Sequence, residues 1–540
     1  MVTNSYLLAI DQGTTSTRII LFDRAGRNVV SATRPNHSIT PKEGWVEQDP
    51  KQIISDICEC LQDVSCKAQE LGIQRDSIKA CGITTQRETV VIWDGSTGEP
   101  LYNAVVWSDA RNHELLTELE KTYGPIIRIR TGLPLSTYFS AGKVLWLYLN
   151  NPTIKEAIKN RTAKIGTMDT WLLWNLSKEK SYLTDVTSAS RTQFFNIETM
   201  AWDPMLLHIF SVSLENLPTV WPSAGKVFGT LSETAGWFEG LQIGGMLGDQ
   251  QASMVGHRCF AAGSSKITFG TGAFLLINAG VAKPEPDDNL LITIGYQISP
   301  TTRPVYAREA SIASAGSIFE WLRKMGMIQS VADIDSLVVP LIDEPSSVVF
   351  VPAFTGLLCP FWCPHARAGI FNLSHSTTPS HIVKAAMEAV ALQVRDILPL
   401  FQELNNVPGS LNIGVAMARI NSHNSLSEAM AIEGMDQSGD YTLPTSPGRQ
   451  IHIDGGLTKS EYFSQILSDV TQCTILVSKN QELTSLGCVI MAGLTSQVYT
   501  DLSDAEASIE SSFNPFSPKK SKEQAAETYS RWQVAIKKTM

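Results

Sequence analysis

The chain has 540 residues, of which 18% are charged and 43% hydrophobic, and its formal net charge is −10. This length predicts two to four domains with sizeable cores, and the composition is that of an ordinary globular protein. The negative charge argues against a general nucleic-acid binder, because nucleic acids attract basic surfaces. No run of about 18 apolar residues occurs, so we expect no membrane span.

The nine cysteines are scattered along the chain. Cys359 and Cys363 lie close together, but no second pair and no histidine cluster completes a zinc site. An odd cysteine count, with an N-terminus that has neither a cationic start nor a long apolar core, favours a reducing compartment. We therefore expect a cytoplasmic protein, and peripheral association with mitochondria stays open as an alternative.

The first motif is a glycine- and threonine-rich turn, DQGTTSTR at 11–18, between the apolar segments 6–10 and 19–22. The pattern predicts strand, turn and strand, with the carboxylate of Asp11 at the end of the first strand. Such a turn offers backbone N–H groups and hydroxyls to a phosphate, and the carboxylate can hold the Mg²⁺ of a nucleoside triphosphate. A plain β-turn is the alternative interpretation of this motif alone.

Two later turns resemble the first. The segment KITFGTG at 266–272 leads into the apolar segment 273–277, and a third glycine turn, IDGG, occupies 453–456. No GxxxxGK[ST] sequence occurs, so the chain is not a P-loop enzyme. The two hydroxyl-bearing turns, one in each half of the chain, predict two related domains that hold a nucleotide between them.

Strand-like and helical patterns alternate between the turns, which predicts α/β layers. The predicted helices are 53–61, 141–150, 382–404 and an amphipathic segment at 521–540, and the predicted strands include 79–83, 90–93 and 451–454. Residues 405–450 have no clear period, and a structureless loop of this length is uncommon within a compact domain. We interpret this stretch as a surface loop, a lineage-specific element or a wrongly assigned exon boundary.

Nine segments, in order, resemble motifs of the sugar and polyol kinases of the FGGY family, which have the fold of actin and hexokinase. The resemblance runs from about Tyr6 to about Lys538 and is strongest to the members that phosphorylate glycerol. The segments are DQGTTSTR at 11–18, GWVEQDP at 44–50, TTQRET at 84–89, NAVVW at 103–107, YFSAGKVLW at 138–146, GDQQAS at 248–253, TFGTGAF at 268–274, VPAFTGL at 351–357 and DGG at 454–456.

The resemblance implies an α/β fold with two actin- and hexokinase-like (ribonuclease H-like) domains, each with a mixed five-stranded sheet, and an active-site cleft between them. We expect an N-terminal domain at 1–256 with the polyol site and the first phosphate turn. The C-terminal domain, 257–510, would hold the second phosphate turn and the adenosine site, with an atypical insertion at about 405–450. A helical tail would occupy 511–540. Homodimers and homotetramers are usual in the family, so we expect one of these.

The implied activity is ATP-dependent phosphorylation of glycerol to sn-glycerol 3-phosphate, in glycerol breakdown and glycerolipid precursor supply. A glycerol site needs apolar walls for the C–H face and charged hydrogen-bond partners for the oxygens. Asp249 would be the general base that accepts the proton of the terminal hydroxyl. The positions that match the glycerol contacts of the family are Arg87, Glu88, Trp107, Tyr138, Asp249, Gln250 and Phe274.

The implied cofactors are ATP and Mg²⁺, with Asp11 and Asp249 as metal ligands. Glu320 and Ser460 stand where the family usually has Gln and Asn, and Asn372 stands where Gly is usual. These departures concern nucleotide affinity more than the polyol site. The expected nucleotide contacts are Thr14, Thr15, Ser16, Arg18, Thr271, Gly316, Glu320, Gly456 and Ser460.

Two alternatives remain open at this point. One is a kinase of the same family that acts on another polyol or a short sugar, although Trp107 and Phe274 would leave little room for a longer one. The other is a catalytically weak member that binds nucleotide or a partner protein. The long insertion and the changes in the second domain motivate this second alternative. The residues that argue against it are the intact Asp11, Arg87, Glu88 and Asp249.

Overall fold

The computed structural model describes residues 5–330, 333–341, 347–363, 365–402, 450–510 and 512–540. The predicted insertion at about 405–450 therefore lies outside the described residues, apart from its last position. The strands are β1 (Tyr6–Gln12), β2 (Ser16–Asp23), β3 (Asn28–Pro35), β4 (Glu47–Gln48), β5 (Ile78–Thr85), β6 (Val90–Asp94), β7 (Ala104–Val105), β8 (Ala163–Thr167), β9 (Leu183–Asp185), β10 (Phe195–Asn196), β11 (Ala201–Trp202), β12 (Thr219–Trp221), β13 (Gly229–Thr230), β14 (Gln242–Gly248), β15 (Ser265–Phe269), β16 (Ala273–Gly280), β17 (Leu291–Tyr296), β18 (Val305–Ile312), β19 (Val349–Val351), β20 (Gly369–Phe371), β21 (Gln450–Gly455), β22 (Thr474–Ser478) and β23 (Phe513–Phe516).

The helices lie between and around these strands. They are α1 (Pro50–Glu70), α2 (His113–Thr131), α3 (Ser140–Asn150), α4 (Pro152–Lys159), α5 (Met168–Leu176), α6 (Val186–Ala189), α7 (Pro204–Ile209), α8 (Asp249–Gly256), α9 (Gly316–Lys324), α10 (Ile334–Val338), α11 (Pro379–Gln402), α12 (Glu461–Thr471), α13 (Leu483–Thr495), α14 (Leu502–Ser508) and α15 (Lys522–Lys537). The helices and strands predicted above from periodicity lie within elements of this set, apart from residues 521 and 538–540 of the last predicted helix. Residues 403–404 of the predicted helix 382–404 lie outside the described residues.

Two large sheets share one topology. The first has the order β13-β14-β5-β1-β2-β3, and the second has the order β17-β18-β16-β15-β21-β22-β23. In both, two antiparallel pairings are followed by two parallel ones, across β3-β2-β1-β5-β14 and across β18-β16-β15-β21-β22. The expectation of five strands per sheet is wrong, because edge strands extend the shared five-stranded core to six and seven.

The central strands of the first sheet are apolar on both faces. Leu8 and Ile10 of β1 face one core cluster, whereas Leu7 and Ala9 face another. Side chains alternate across a strand, so a sheet covered on both faces needs such a nearly continuous apolar run. Helix α1 covers one face, and α13 covers the other.

Helix α13 comes from the second half of the chain but packs on the first sheet. A Cβ atom on Gly82 of β5 would overlap the carbonyl of Cys488 in α13, and one on Gly487 would overlap the carbonyl of Ala252 in α8. Glycine therefore allows the helix to approach the sheet and α8 more closely than any side chain would. The division of the chain at 256 and 257 stays a prediction.

The C-terminal region is more than the helical tail that we expected at 511–540. Strand β23 pairs with β22 at the edge of the second sheet, and α15 follows it. Trp532 of α15 is fully buried, and its Nε1 donates to Asp396 Oδ2 of α11 at 2.8 Å. The region is thus a part of the second core.

Three further features concern the backbone at Asn372, the cysteine thiols and the apolar character of the helices. Asn372 has φ 61°, in the left-handed region that Asn tolerates best after Gly, which accounts for Asn at a position where Gly is usual. All nine cysteines are free thiols. Among the residues that the structure describes, no helix is both long enough and apolar enough to cross a membrane.

Candidate active site

The first phosphate turn connects β1 to β2, as predicted. Gly13 N donates to Ser16 O at 3.0 Å and closes the turn. Two side chains then hold its carbonyls, because Asn36 Nδ2 donates to Gly13 O at 2.7 Å and Gln48 Nε2 donates to Thr14 O at 2.8 Å. Within this turn, Thr15 is exposed and Ser16 is half-buried.

Asp11 is a buried carboxylate at the end of β1. Burial raises its pKa to about 6, although the hydrogen bond from Ser485 Oγ at 2.6 Å and the charge of Arg18 both oppose this shift. Arg18 itself lies against Glu482, with Nη1 3.0 Å from Oε2. Glu482 and Ser485, at the start of α13, therefore hold both charged residues of the first turn in place.

The second and third turns lie side by side, because β15 and β21 are parallel neighbours. Gly316 N donates to Gly270 O at 2.9 Å, and a Cβ on Gly316 would overlap that oxygen. Gly455 has φ 99°, and a Cβ there would overlap Phe269 O. A Cβ on Gly456, in contrast, would meet no atom within 4 Å, so this glycine borders open space. Thr271 is exposed in the second turn.

The two departures near the expected adenosine site are both engaged by protein groups. Ser460 Oγ accepts from Phe463 N at 2.9 Å as the N-cap of α12, and it also donates to Asp335 Oδ1. Glu320 is exposed and accepts from Arg323 Nε at 3.0 Å. Ser460 therefore has a structural role as a cap, and the charge of Glu320 is partly neutralised.

Three of the predicted polyol residues meet at the carboxyl ends of β5 and β14. These strands are parallel neighbours, so the residues that follow them lie at the same edge of the sheet. Arg87 Nε lies 3.5 Å from Glu88 Oε1 and 3.4 Å from Asp249 Oδ1. Burial raises the pKa of Asp249, whereas the charge of Arg87 lowers it.

Three aromatic side chains adjoin this cluster. The ring of Trp107 lies 5.3 Å from that of Tyr138 and 6.4 Å from that of Phe274, edge to face in both pairs. Arg87 Nη2 donates to the Tyr138 hydroxyl at 2.9 Å, and its guanidinium carbon lies 6.0 Å from the centre of the Phe274 ring. Aromatic walls beside charged donors and acceptors suit a small polyol.

Gln250 completes the predicted set and reveals a neighbour that the sequence analysis did not select. Lys266 Nζ donates to Gln250 Oε1 at 2.5 Å and to Thr268 Oγ1 at 2.9 Å. Burial lowers the pKa of Lys266 to about 8, against the attraction of Asp454 and Asp249. Lys266 stands in the second motif, so its place beside the turn was a signal that could have been used.

Three further buried charges contact the predicted residues and were also missed. Glu309 of β18 accepts from Arg87 and from Arg191, and Arg191 also donates to Glu88. Lys143 Nζ donates to the carbonyl of Tyr138 at 2.9 Å, which fixes the backbone that carries this ring. For Glu309 and Lys143, a charged residue inside a mostly apolar strand or helix was the available signal, since such residues are rarely buried unless they are paired. Arg191 lies in the turn after α6, where no such pattern marks it.

Comparisons with known proteins agree with this arrangement. The models of the N-terminal and C-terminal domains of the FGGY family of carbohydrate kinases match residues 6–256 and 265–496. A glycerol kinase of Mycolicibacterium gilvum is 37% identical over 541 residues, which cover 99% of this chain and 98% of the relative. A glycerol kinase of Arabidopsis thaliana is 38% identical over 500 residues, which cover 91% of this chain and 89% of the relative.

A solved structure extends the similarity to the whole fold. The crystal structure of Plasmodium falciparum glycerol kinase with ADP superposes with a TM-score of 0.83 at 35% identity, and the match covers 99% of this chain and 98% of that one. The two family models together span most of the sequence, and every strand of the two large sheets except β23 lies within them. The chain belongs to the FGGY family of carbohydrate kinases.

Proposed function

We propose that this protein transfers the γ-phosphoryl group of ATP to the terminal hydroxyl of glycerol, which yields sn-glycerol 3-phosphate. The observation that carries the proposal is the cluster of Arg87, Glu88 and Asp249 against the rings of Trp107 and Phe274. Similarity to glycerol kinases over nearly the full chain supports the same acceptor, and the ADP bound to the Plasmodium falciparum enzyme supports the nucleotide.

Asp249 acts as the general base. Its carboxylate is three-quarters buried and lies 3.4 Å from the guanidinium of Arg87, so it is held in one place at the head of α8. Burial raises its pKa and so makes the carboxylate a better proton acceptor than a solvated one. In a loose phosphoryl-transfer transition state the proton leaves the attacking hydroxyl late, and this carboxylate is placed to accept it.

Arg87 and Glu88 orient the other oxygens of glycerol. A guanidinium can only donate hydrogen bonds and a carboxylate can only accept them. Arg87 therefore donates to hydroxyl oxygens of glycerol, and Glu88 accepts from hydroxyl protons. Trp107 and Phe274 pack against the carbon chain and limit its length. Tyr138, whose hydroxyl accepts from Arg87, closes one side of the site.

Asp11 and Asp249 suit a Mg²⁺ ion. Mg²⁺ typically takes one or two carboxylates, and the phosphates and water supply its other ligands. Burial, with smaller contributions from the charges of Glu482 and Asp249, raises the pKa of Asp11 to about 6, so a cation would relieve an unfavourable charge there. Over the described ranges, no cluster of three or more His, Cys, Asp or Glu side chains forms a closed metal cage. When bound, the ion would neutralise charge on the phosphate oxygens.

The turns supply the nucleotide contacts in this proposal. Thr14 accepts a hydrogen bond from Trp107, so its own hydroxyl proton remains available for a phosphate oxygen. Thr15, Ser16 and Thr271 offer hydroxyls from the two turns, and Arg18 offers positive charge. On the expected adenosine side lie Gly316, Glu320, Gly456 and Ser460. Because Ser460 already caps α12, we assign that position a weaker contact than the Asn usual in the family.

A substrate panel tests the choice of acceptor. ADP release is measured with glycerol, with a four-carbon polyol, with five- and six-carbon sugars, and with no acceptor. The proposal expects a kcat/KM for glycerol well above that for every longer acceptor, because Trp107 and Phe274 limit the chain length. A higher value for a longer sugar would favour the alternative of another polyol kinase. ATP binding without turnover on any acceptor would favour the weak nucleotide binder.

The homo-oligomer expected from the resemblance stays a prediction.

A further inference from the structure

Four buried charges form a closed ring beside the proposed polyol site. Arg87 Nη1 and Nη2 donate to Glu309 Oε2 and Oε1 at 2.5 and 3.0 Å, and Arg191 Nη2 donates to Glu309 Oε1 at 3.2 Å. Arg191 Nε donates to Glu88 Oε1 at 2.7 Å, and Glu88 Oε1 lies 3.5 Å from Arg87 Nε. No member is more than 2% exposed, and the four charges sum to zero.

The members of the ring come from distant parts of the chain. Arg87 and Glu88 follow β5, and Arg191 follows α6. Glu309 lies within β18 of the second sheet, where its register partners are Leu276 and Leu291. A strand from the second half of the chain therefore contributes a carboxylate to a site whose other charged residues come from the first half.

The ring commits most of the hydrogen-bonding groups of Arg87. Both N–H groups of Nη2 are used, by Glu309 and by Tyr138, and one of Nη1 is used by Glu309. Of the five N–H donors of an arginine, the Nε–H and one on Nη1 remain. On Glu88, Oε1 serves Arg191, whereas Oε2 makes no hydrogen bond within the described part of the chain. The ring thus leaves a fixed set of donors and one acceptor for a ligand.

A gain in stability is a weak explanation for a buried ring of charges. Burial of charge is costly, and well-packed hydrophobic residues of similar volume often stabilise a fold as much or more. A ring that fixes the directions of donors and acceptors is instead what a polyol site needs, because misplacement by about 1 Å can cost about 100-fold in rate.

We infer that Glu309 and Arg191 are positioning residues, which set the directions of Arg87 and Glu88 and so determine the affinity for the polyol. The inference rests on the proposed function of this site. Neither residue needs to touch the acceptor, since both act through the two side chains that would contact it.

The test compares conservative variants in the full-length chain. Glu309→Gln keeps the shape of the side chain but removes its charge, and Arg191→Lys keeps the charge but removes the planar fork that serves two partners. We expect the KM and the calorimetric Kd for glycerol to rise about 10- to 100-fold in both, with the KM for ATP within about twofold of the wild-type value. Glu309→Asp, which restores the charge, should recover part of the loss.

The matched control is Tyr306→Phe on the same strand. The Tyr306 hydroxyl donates to Ile197 O at 2.8 Å, away from the ring, so this variant loses a buried hydrogen bond without touching the site. It should keep wild-type values of KM for both substrates. Because the ring acts as a unit, Glu309→Gln combined with Arg191→Lys should cost little more than the worse single variant. Circular dichroism and thermal unfolding establish that each variant is folded.

Folded Glu309→Gln and Arg191→Lys proteins with wild-type glycerol affinity would overturn the inference, as would an equal rise in the KM for ATP. A measurement without ligand tests the positioning of Arg87 independently of the proposed function. In protein labelled with ¹⁵N-arginine, the Nε–H resonance of Arg87, assigned with Arg87→Lys, should move in Glu309→Gln. If the wild type neither binds nor phosphorylates glycerol but this resonance moves, the proposed function is wrong and the positioning of Arg87 is supported. An unmoved resonance contradicts the positioning role.

Discussion

The indole Nε1 of Trp107 donates to Thr14 Oγ1 at 2.8 Å, so one ring joins the polyol wall to the first phosphate turn. The same ring lies 6.4 Å from Phe274, which comes from the second half of the chain. A displacement of the ring by an acceptor would therefore move a hydroxyl that we assign to phosphate binding. In the proposed site, this hydrogen bond would therefore couple the acceptor to the phosphoryl donor.

The variant Trp107→Phe removes this hydrogen bond and keeps an aromatic wall. One such bond contributes about 1 kcal/mol, so kcat/KM should fall about fivefold to tenfold for glycerol, with a rise in the KM for ATP as well. Steady-state kinetics with each substrate varied in turn provide the measurement. The control is Trp202→Phe, because Trp202 Nε1 donates to Pro218 O at 2.7 Å and not to a residue of these turns. An unchanged KM for ATP in Trp107→Phe would contradict the coupling.

The third turn offers a matched pair of glycine variants. Gly455→Ala should destabilise the protein by about 1–3 kcal/mol or more, because Gly455 has φ 99° and a Cβ would overlap Phe269 O. Gly456→Ala should leave the Tm unchanged, because a Cβ there meets no atom within 4 Å. If nucleotide occupies that space, Gly456→Ala raises the Kd for ATP. Calorimetric ATP binding with an unchanged Kd would remove Gly456 from the nucleotide site.

Asp11 predicts a pH dependence of Mg²⁺ use. Its pKa of about 6 means that the carboxylate is protonated below that pH and loses its affinity for the cation. The Mg²⁺ concentration for half-maximal rate should therefore rise as the pH falls through 6, by up to about tenfold per unit. Ser485→Ala removes the hydrogen bond that lowers this pKa, so the midpoint should move to higher pH. A midpoint that stays fixed would exclude Asp11 as the titrating group.

Asp396 predicts a pH-dependent stability. Its Oδ1 and Oδ2 accept from Tyr529 and Trp532 at 2.8 Å each, and burial raises its pKa from 3.8 to about 7. The folded state therefore holds a proton that the unfolded state releases above pH 3.8. The stability from this group is full below pH 3.8 and falls by about 1.4 kcal/mol per unit until the pH passes 7.

Asp396→Asn should remove this dependence, because an amide can accept from Trp532 and donate to the Tyr529 oxygen without carrying a charge. Chemical unfolding of both proteins between pH 5 and pH 8 gives the comparison. Relative to the variant, the wild type should lose free energy of unfolding as the pH rises to about 7 and then stay constant. Parallel curves over this range would show that Asp396 is already ionised in the folded protein.

The sequence predicted the local features well, because they depend on local periodicity. The β1–turn–β2 and β15–turn–β16 units occupy the expected places, and helix α1 contains the predicted helix 53–61 but extends beyond it at both ends. The edge strands β13, β17 and β23 were missed. Two of these have two and four residues, too few for an alternating pattern to be recognised. The structure of residues 403–449 lies outside the described part of the chain, so their predicted character is untested.

The residues of the candidate site were also predicted only where a local sequence motif marked them. The motifs located Arg87, Trp107 and Asp249, which the fold brings together from three separate segments. Glu309 was missed, because its strand pattern indicates only a buried segment and its partners lie more than 100 residues away. Its role depends on the approach of two distant strands, which local periodicity does not reveal.

The most direct test of the account is the rate of ATP consumption by the purified protein, with and without glycerol, for the wild type and for Asp249→Asn. The account predicts glycerol-dependent ADP release in the wild type and a loss of about 10²- to 10⁴-fold in the variant, with the Kd for ATP retained. Glycerol-independent ATP hydrolysis in the wild type, or an undiminished rate in Asp249→Asn, would contradict it.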